Sequence, residues 1–328
     1  MSFRRCDHAA GGRSKRMKVR RFLSFVLLMA SATAFAAIVR DNPPGRFDHL
    51  VQHRSGGVVT AKGSPVASLP AHDPARQAWN GVATERGGEW RVWLDERSGL
   101  PTLALIRGKI WVSERDADGS AAVFPDLDRL ASKAERFLRE SHAAVGNLDD
   151  QLVLDREASG PRGPDTWQVR FSQVVDGVTV EGARFEFHVA HGNLVALGAR
   201  SWAPVRISTL PNLNAAEARG KLDAYVRWTD ADGIVDIGAP ELVLIPIDAD
   251  PSAGPAWRGP RGEGIAHRLI WRFRFTDSDS IATWTGEIDA HTGEVVAFYD
   301  DTRYDRIKGH VNPISDDGQC DIGGCPEP

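Results

Sequence analysis

The chain has 328 residues, 42% of them apolar, 32 glycines, 19 prolines, three cysteines and a net charge of −4. Residues 1–36 hold eight Lys/Arg and one acid, so the remainder stands at −11. An acidic remainder excludes nucleic acid as the expected partner, because phosphates demand a basic surface, and the length suggests two domains.

From Met17 the chain reads MKVRRFLSFVLLMASATAFAA. Lys18, Arg20 and Arg21 precede an apolar run, Phe22 to Ala30, and Ala34-Phe35-Ala36 has the small-residue pattern of a signal cleavage site, with Ala34 and Ala36 as its recognition pair. The run is shorter than the roughly 20 residues that cross a bilayer. The mature chain is therefore expected outside the cytoplasm, secreted or periplasmic, with no stable membrane span. The residues before Met17 read either as an extended n-region or as an upstream start.

Residues 37–85 are rich in Gly, Pro, Ser and Ala without sustained periodicity, and read as a flexible, loosely docked arm. Inside it, HLVQH (49–53) spaces two histidines as a zinc-binding helix does. The glutamate of H-E-x-x-H is missing and no third ligand follows by motif, so no metal site is assigned.

The segment 89–108 alternates apolar and polar residues on both sides of Ser98-Gly99, a hairpin pattern. In 126–146, Leu127, Leu130, Ala131, Ala134, Phe137 and Leu138 fall on one helical stripe, and Gly146 is placed to end it. Residues 165–202 read as an antiparallel meander with turns at Asp176-Gly177 and His191-Gly192. A second helix is expected over 214–228, where Asn214 and Glu217 have capping-box spacing. Strands follow at 241–247, 266–275 and 283–300, with a long turn-rich loop over 248–264.

Asp289, His291 and Glu294 crowd into DAHTGEVVAF, a spacing that could hold a metal or move a proton. Gly293 supplies the positive φ a short hairpin loop needs, and Asp289 can accept from backbone N–H groups ahead of it. The same grammar recurs in HVAHGNLVAL without the acids. Asp289, His291 and Gly293 are therefore read as a structural turn, and no catalytic residue is assigned. No G-x-S-x-G elbow is present, and the consecutive acids Asp300-Asp301 and Asp316-Asp317 point to opposite faces of an extended chain. Cys6 leaves with the signal; Cys320 and Cys325, in CDIGGC, are a candidate local disulfide in an oxidising compartment.

The pattern implies an α+β fold of two tandem modules, each a helix packed on an antiparallel sheet. Two stretches carry a family resemblance. WQVRFSQVVDGVTVEGARFEFHVAHGNLVALG resembles the fungalysin/thermolysin propeptide (FTP) domain, and HRLIWRFRF with WTGEIDAHTGEVVAFYD resembles the PepSY domain, so the modules are expected to be cystatin-like and PepSY-like. Domain bounds on this basis are 1–36 signal, 37–85 arm, 86–205 FTP-like, 206–305 PepSY-like, and 306–328 the start of a further domain or a tail.

The resemblance implies a secreted prosegment that assists the folding of a zinc metallopeptidase, in cis or in trans, and holds it inactive. In such precursors the zinc site belongs to the catalytic domain that follows, and no H-E-x-x-H occurs up to Pro328. The chain is accordingly expected to be no enzyme and to need no cofactor, or to be the front of a peptidase precursor if coding continues. The alternative is a stand-alone secreted protein that binds proteases or envelope partners.

Overall fold

Helix and strand starts follow local chemistry closely. A computed structural model of the chain describes residues 47–56, 63–108, 111, 126–146, 148, 151–229, 233–253, 257–277 and 282–302. Helix α1, Pro74–Arg86, starts at Asp73, whose side chain accepts from Ala75 N, with proline in the first turn. Helix α2, Leu127–Glu140, is capped by Asp126 through Arg129 N and buries Leu130, Ala131, Ala134, Phe137 and Leu138. A one-turn helix α3, His142–Val145, ends at Gly146. Helix α4, Ala215–Val226, has the full capping box between Asn214 and Glu217.

The strands are β1 Ser64–Pro65, β2 Glu89–Leu94, β3 Pro101–Arg107, β4 Leu152–Leu154, β5 Gly160–Gly163, β6 Thr166–Val175, β7 Val178–Ala190, β8 Asn193–Arg200, β9 Val235–Asp236, β10 Glu241–Asp248, β11 Ile265–Thr276, β12 Thr283–Asp289 and β13 Val295–Asp300. Strands β6, β7 and β8 form the meander. Its first turn holds Asp176 and Gly177 at φ 49° and 82°, its second His191 and Gly192 at φ 48° and 74°, the left-handed pair that matches strand twist.

The expected plan of two tandem helix-on-sheet modules does not hold. Among the described residues there is one mixed sheet of 13 strands, running β1-β2-β3-β8-β7-β10-β11-β12-β13, with β4, β5, β6 and β9 attached beside that path. The cause is β7. At 13 residues it outreaches β8, and its first turnward residues run parallel to β10 with Val180 opposite Leu244. Leu244, Leu269, Val178, Val180, Ala183 and Ala290 then form a continuous apolar cluster across the junction where a module boundary was expected. The helices are also unequally shared: α1, α2 and α3 lie over the first half and α4 alone over the second.

Phe187 is the hub of the first core, with ring contacts to Phe137, Phe171, Phe185 and Trp111. Burying a side chain of this kind contributes about 1.5–3 kcal/mol. In the second half, α4 lays Ala218, Leu222 and Val226 against Phe273, Phe275, Trp284 and Phe298. Gly286 of β12 makes the close approach possible, because a Cβ there would lie 2.6 Å from Leu222 Cδ1.

Of the 37–85 segment read as an arm, residues 47–56 and 63–85 are described, and two of its aromatic side chains are buried. Phe47 and Trp79 are 3% and 2% exposed. Phe47 packs edge-on against Trp284 and Phe298 in the second core, while Trp79 of α1 packs on Trp90 in the first. Each supplies an aromatic side chain that its core lacks without it.

Candidate functional site

Two features of the sheet carry chemistry beyond packing. The first is the face of β2, β3, β8, β7 and β6 turned away from the helices. Alternation puts Val92, Leu94, Ala104 and Ile106 into the core and turns Trp93, Leu103 and Leu105 outward. Register then sets Trp93 opposite Leu103, Leu105 opposite Ala196, His188 opposite Ala196, and Glu186 opposite Gly198. Leu103 and Leu105 are 39% and 42% exposed. Leu103 borders a shallow cleft of about 350 Å³ lined also by Arg184, Glu186, His188 and Arg200.

This face is basic on an otherwise acidic chain. Glu186 accepts from Arg170 at 2.6 Å and Arg184 at 2.9 Å, so one carboxylate serves two guanidiniums. Arg200 is exposed and has no ion pair among the described residues. An apolar strip beside surplus guanidinium is suited to a partner surface that is apolar with an acidic rim; among the described residues it holds no group of three or more His, Cys, Asp or Glu that could bind a metal.

The second feature is a cluster of ion pairs on the second half of the sheet. Residues 51–56 cross it as a strap. Gln52 pairs both ways with Phe298 of β13 (2.8 Å each), and Gly56 O accepts from Asp248 N at the end of β10 (2.7 Å). Between them, Arg54 Nε and Nη2 grip Glu287 of β12 side-on, 2.5 Å each, and its Nη1 reaches Glu181 of β7. Arg272 of β11 donates to Glu287 at 2.9 Å and also pairs with Glu181.

Glu287 is fully buried, which is tolerable only with both guanidiniums in place. Burial works against the charge on Arg54, but its hydrogen bonds to Glu287 and Glu181 outweigh that and hold its pKa above the ordinary value. Burial would raise Glu181, yet the Arg54 hydrogen bond and the Arg272 and Arg54 charges hold it below the ordinary carboxylate value. Burial, with the Glu287 charge, pushes the Tyr299 phenol up.

The residues singled out in the sequence lie elsewhere. Asp289, His291 and Gly293 sit at and after the end of β12. Asp289 Oδ1 accepts from His291 N (2.9 Å) and Thr292 N (2.8 Å), and Gly293, at φ 78°, donates to Asp289 O. Arg268 stands 3.5 Å from both Asp289 and Glu294, and a ring nitrogen of His291 lies 3.2 Å from Leu210 O. All three potential ligand side chains are thus engaged locally: Asp289 with the loop backbone and Arg268, His291 beside Leu210 O, and Glu294 with Arg268. His49 lies in a 3-10 turn, Asp48–Leu50, and His53 in the extended strap, so their spacing does not set two imidazoles side by side. Ala34, Ala36, Cys320 and Cys325 lie outside the described residues.

Sequence reasoning missed both features. Leu103-Ala104-Leu105-Ile106 is apolar on both faces of a strand, a signal that the outer face is unusual. Arg272 and Glu287 are charges inside apolar strands, where a charge needs a partner.

No family model matches the chain, and no curated protein matches it. Among solved structures, the C-terminal domain of YpeB from Bacillus megaterium is similar at 14% identity, over 70% of this chain and 97% of that one, with a TM-score of 0.30. A superposition that loose carries neither fold detail nor role from one protein to the other. Among the described residues no helix is long and apolar enough to cross a membrane.

Proposed function

We propose that the chain is a secreted, non-catalytic regulatory module of the prosegment kind, which assists folding of a thermolysin- or fungalysin-type zinc metallopeptidase and inhibits it, in cis or in trans. The observation that carries the reading is the outward pair Leu103 and Leu105 beside half-buried Trp93, with Arg184 and Arg200 lining the cleft at Leu103, on a chain that stands at −11 beyond residue 36. A contiguous apolar strip on the solvent side of a sheet, rimmed by polar side chains, is the kind of surface that a partner covers. The sequence resemblance to an FTP and a PepSY domain in tandem names the class of partner.

The docking surface on the peptidase is apolar at its centre and acidic at its rim. The test is to add the purified chain, from residue 37 onward, to thermolysin-type peptidases and to measure residual activity and refolding yield from denaturant. Stoichiometric inhibition or a raised refolding yield is the expected result. Neither effect on any peptidase of the class refutes the reading, and capture of a non-peptidase envelope protein on the same face would put the stand-alone binding protein in its place.

A further inference from the structure

The strap of residues 51–56 has the geometry of a bound peptide. Its even positions make the attachments: Gln52 pairs by main chain with the outer edge of β13 and donates Nε2 to Val295 O, Arg54 enters the Glu181–Glu287 pair, and Gly56 meets β10 through its carbonyl. Its odd positions, Val51, His53 and Ser55, are exposed. Extended segments recognised by sheet edges work this way, with main-chain bonds for affinity and alternate side chains for specificity. Almost all of its attachment is polar, since Arg54 and Gly56 are half-buried and the rest exposed, so little apolar burial fixes it. Upstream, Phe47 is locked in the core and Tyr225 Oη donates to Leu50 O, which leaves the strap tethered at that end when it lifts.

The pocket is selective. Two carboxylates converge and Arg272 supplies one cation, so a second is required. The side-on grip on Glu287 with a further contact to Glu181 is a guanidinium geometry that an ammonium cannot reproduce.

We propose that Glu181, Glu287 and the outer edge of β13 form a receptor for an extended arginine-bearing segment, filled in cis by the strap and filled in trans by a partner protein's segment of the pattern Gln-x-Arg-x-Gly that displaces it. This site does not rest on the reading of the outer face of the first half. The probe is a capped, labelled peptide of residues 50–56, titrated by anisotropy against the full chain and its Arg54→Ala variant. The variant binds the peptide at least tenfold more tightly than the wild type. Replacing the peptide's arginine by lysine, or Glu287→Gln in the variant, removes at least tenfold.

Arg54→Lys, which keeps the charge, replaces Arg54→Ala if the latter fails to fold. Equal binding to wild type and variant, or indifference to the peptide's arginine, overturns the proposal. A wild-type dimer that dissociates on adding peptide assigns the occupant to a second copy of the chain, and the partner claim falls.

Discussion

Arg97 lies in the loop between β2 and β3 and is completely buried, with Nη2 3.0 Å from Asp248 Oδ2 at the end of β10, itself 6% exposed. The pair bridges the two halves of the sheet. Its surroundings are tight: Gly264 N donates to Arg97 O at 2.9 Å, and a Cβ on Gly264 would stand 2.7 Å from Arg97 Cγ. Nearby, Arg261 pairs with Asp73 and Glu96 at the surface, where an ion pair contributes at most about 1 kcal/mol. Removing one partner of the buried pair is different, because it strands a charge, and costs about 3–5 kcal/mol.

Against a total stability of roughly 5–15 kcal/mol, Arg97→Met or Asp248→Leu alone should move the urea midpoint far down. The double variant, with apolar groups on both sides, should recover most of the loss, giving a coupling of about 2–4 kcal/mol. Tryptophan fluorescence reports the transition, and the single variants should broaden it or split it in two as the halves uncouple. Additive losses, or a cost below about 1 kcal/mol for Arg97→Met, would refute the bridge.

Three further outcomes follow from particular contacts. His267 is 7% exposed with Nε2 unpartnered, and burial lowers its pKa from 6.5 to about 4. The unfolded chain therefore binds the proton first, stability falls as pH drops from 6.5 towards 4 by up to about 3 kcal/mol, and His267→Met should flatten that slope in pH-dependent denaturation. Gly286→Ala drives a methyl into Leu222 and should cost about 1–3 kcal/mol by thermal melting, with Leu222→Ala partly relieving the clash in the double variant. At the β12–β13 loop, His291→Ala should stay within about 0.5 kcal/mol, whereas Asp289→Ala, which frees two backbone donors, should cost about 1–2 kcal/mol in chemical denaturation.

Much of the local structure was legible because its causes are local. The stripe Leu130–Ala134–Phe137–Leu138, the box Asn214–Glu217 and the turns at Asp176-Gly177 and His191-Gly192 are each decided within a few residues. Helix α1 was missed although Asp73-Pro74 is a start signal, because its stripe of Ala75, Ala78, Trp79 and Val82 is short and interrupted by Gly81. The single sheet was not legible: it depends on Val180 meeting Leu244 across 64 positions, and no periodicity encodes a parallel neighbour. The outer strip and the Arg54 cluster were hidden for the same reason, since exposure of Leu105 and convergence of Glu181 with Glu287 exist only after the strands are placed.

The most direct measurement on the proposed role is the inhibition constant of the chain against a peptidase it inhibits, compared with that of Leu105→Asp. The substitution lies on the solvent side of β3, so the unfolding midpoint should hold while the inhibition constant rises at least tenfold, about 1.4 kcal/mol. An unchanged constant with the fold intact would show that the outer face is not where the partner docks.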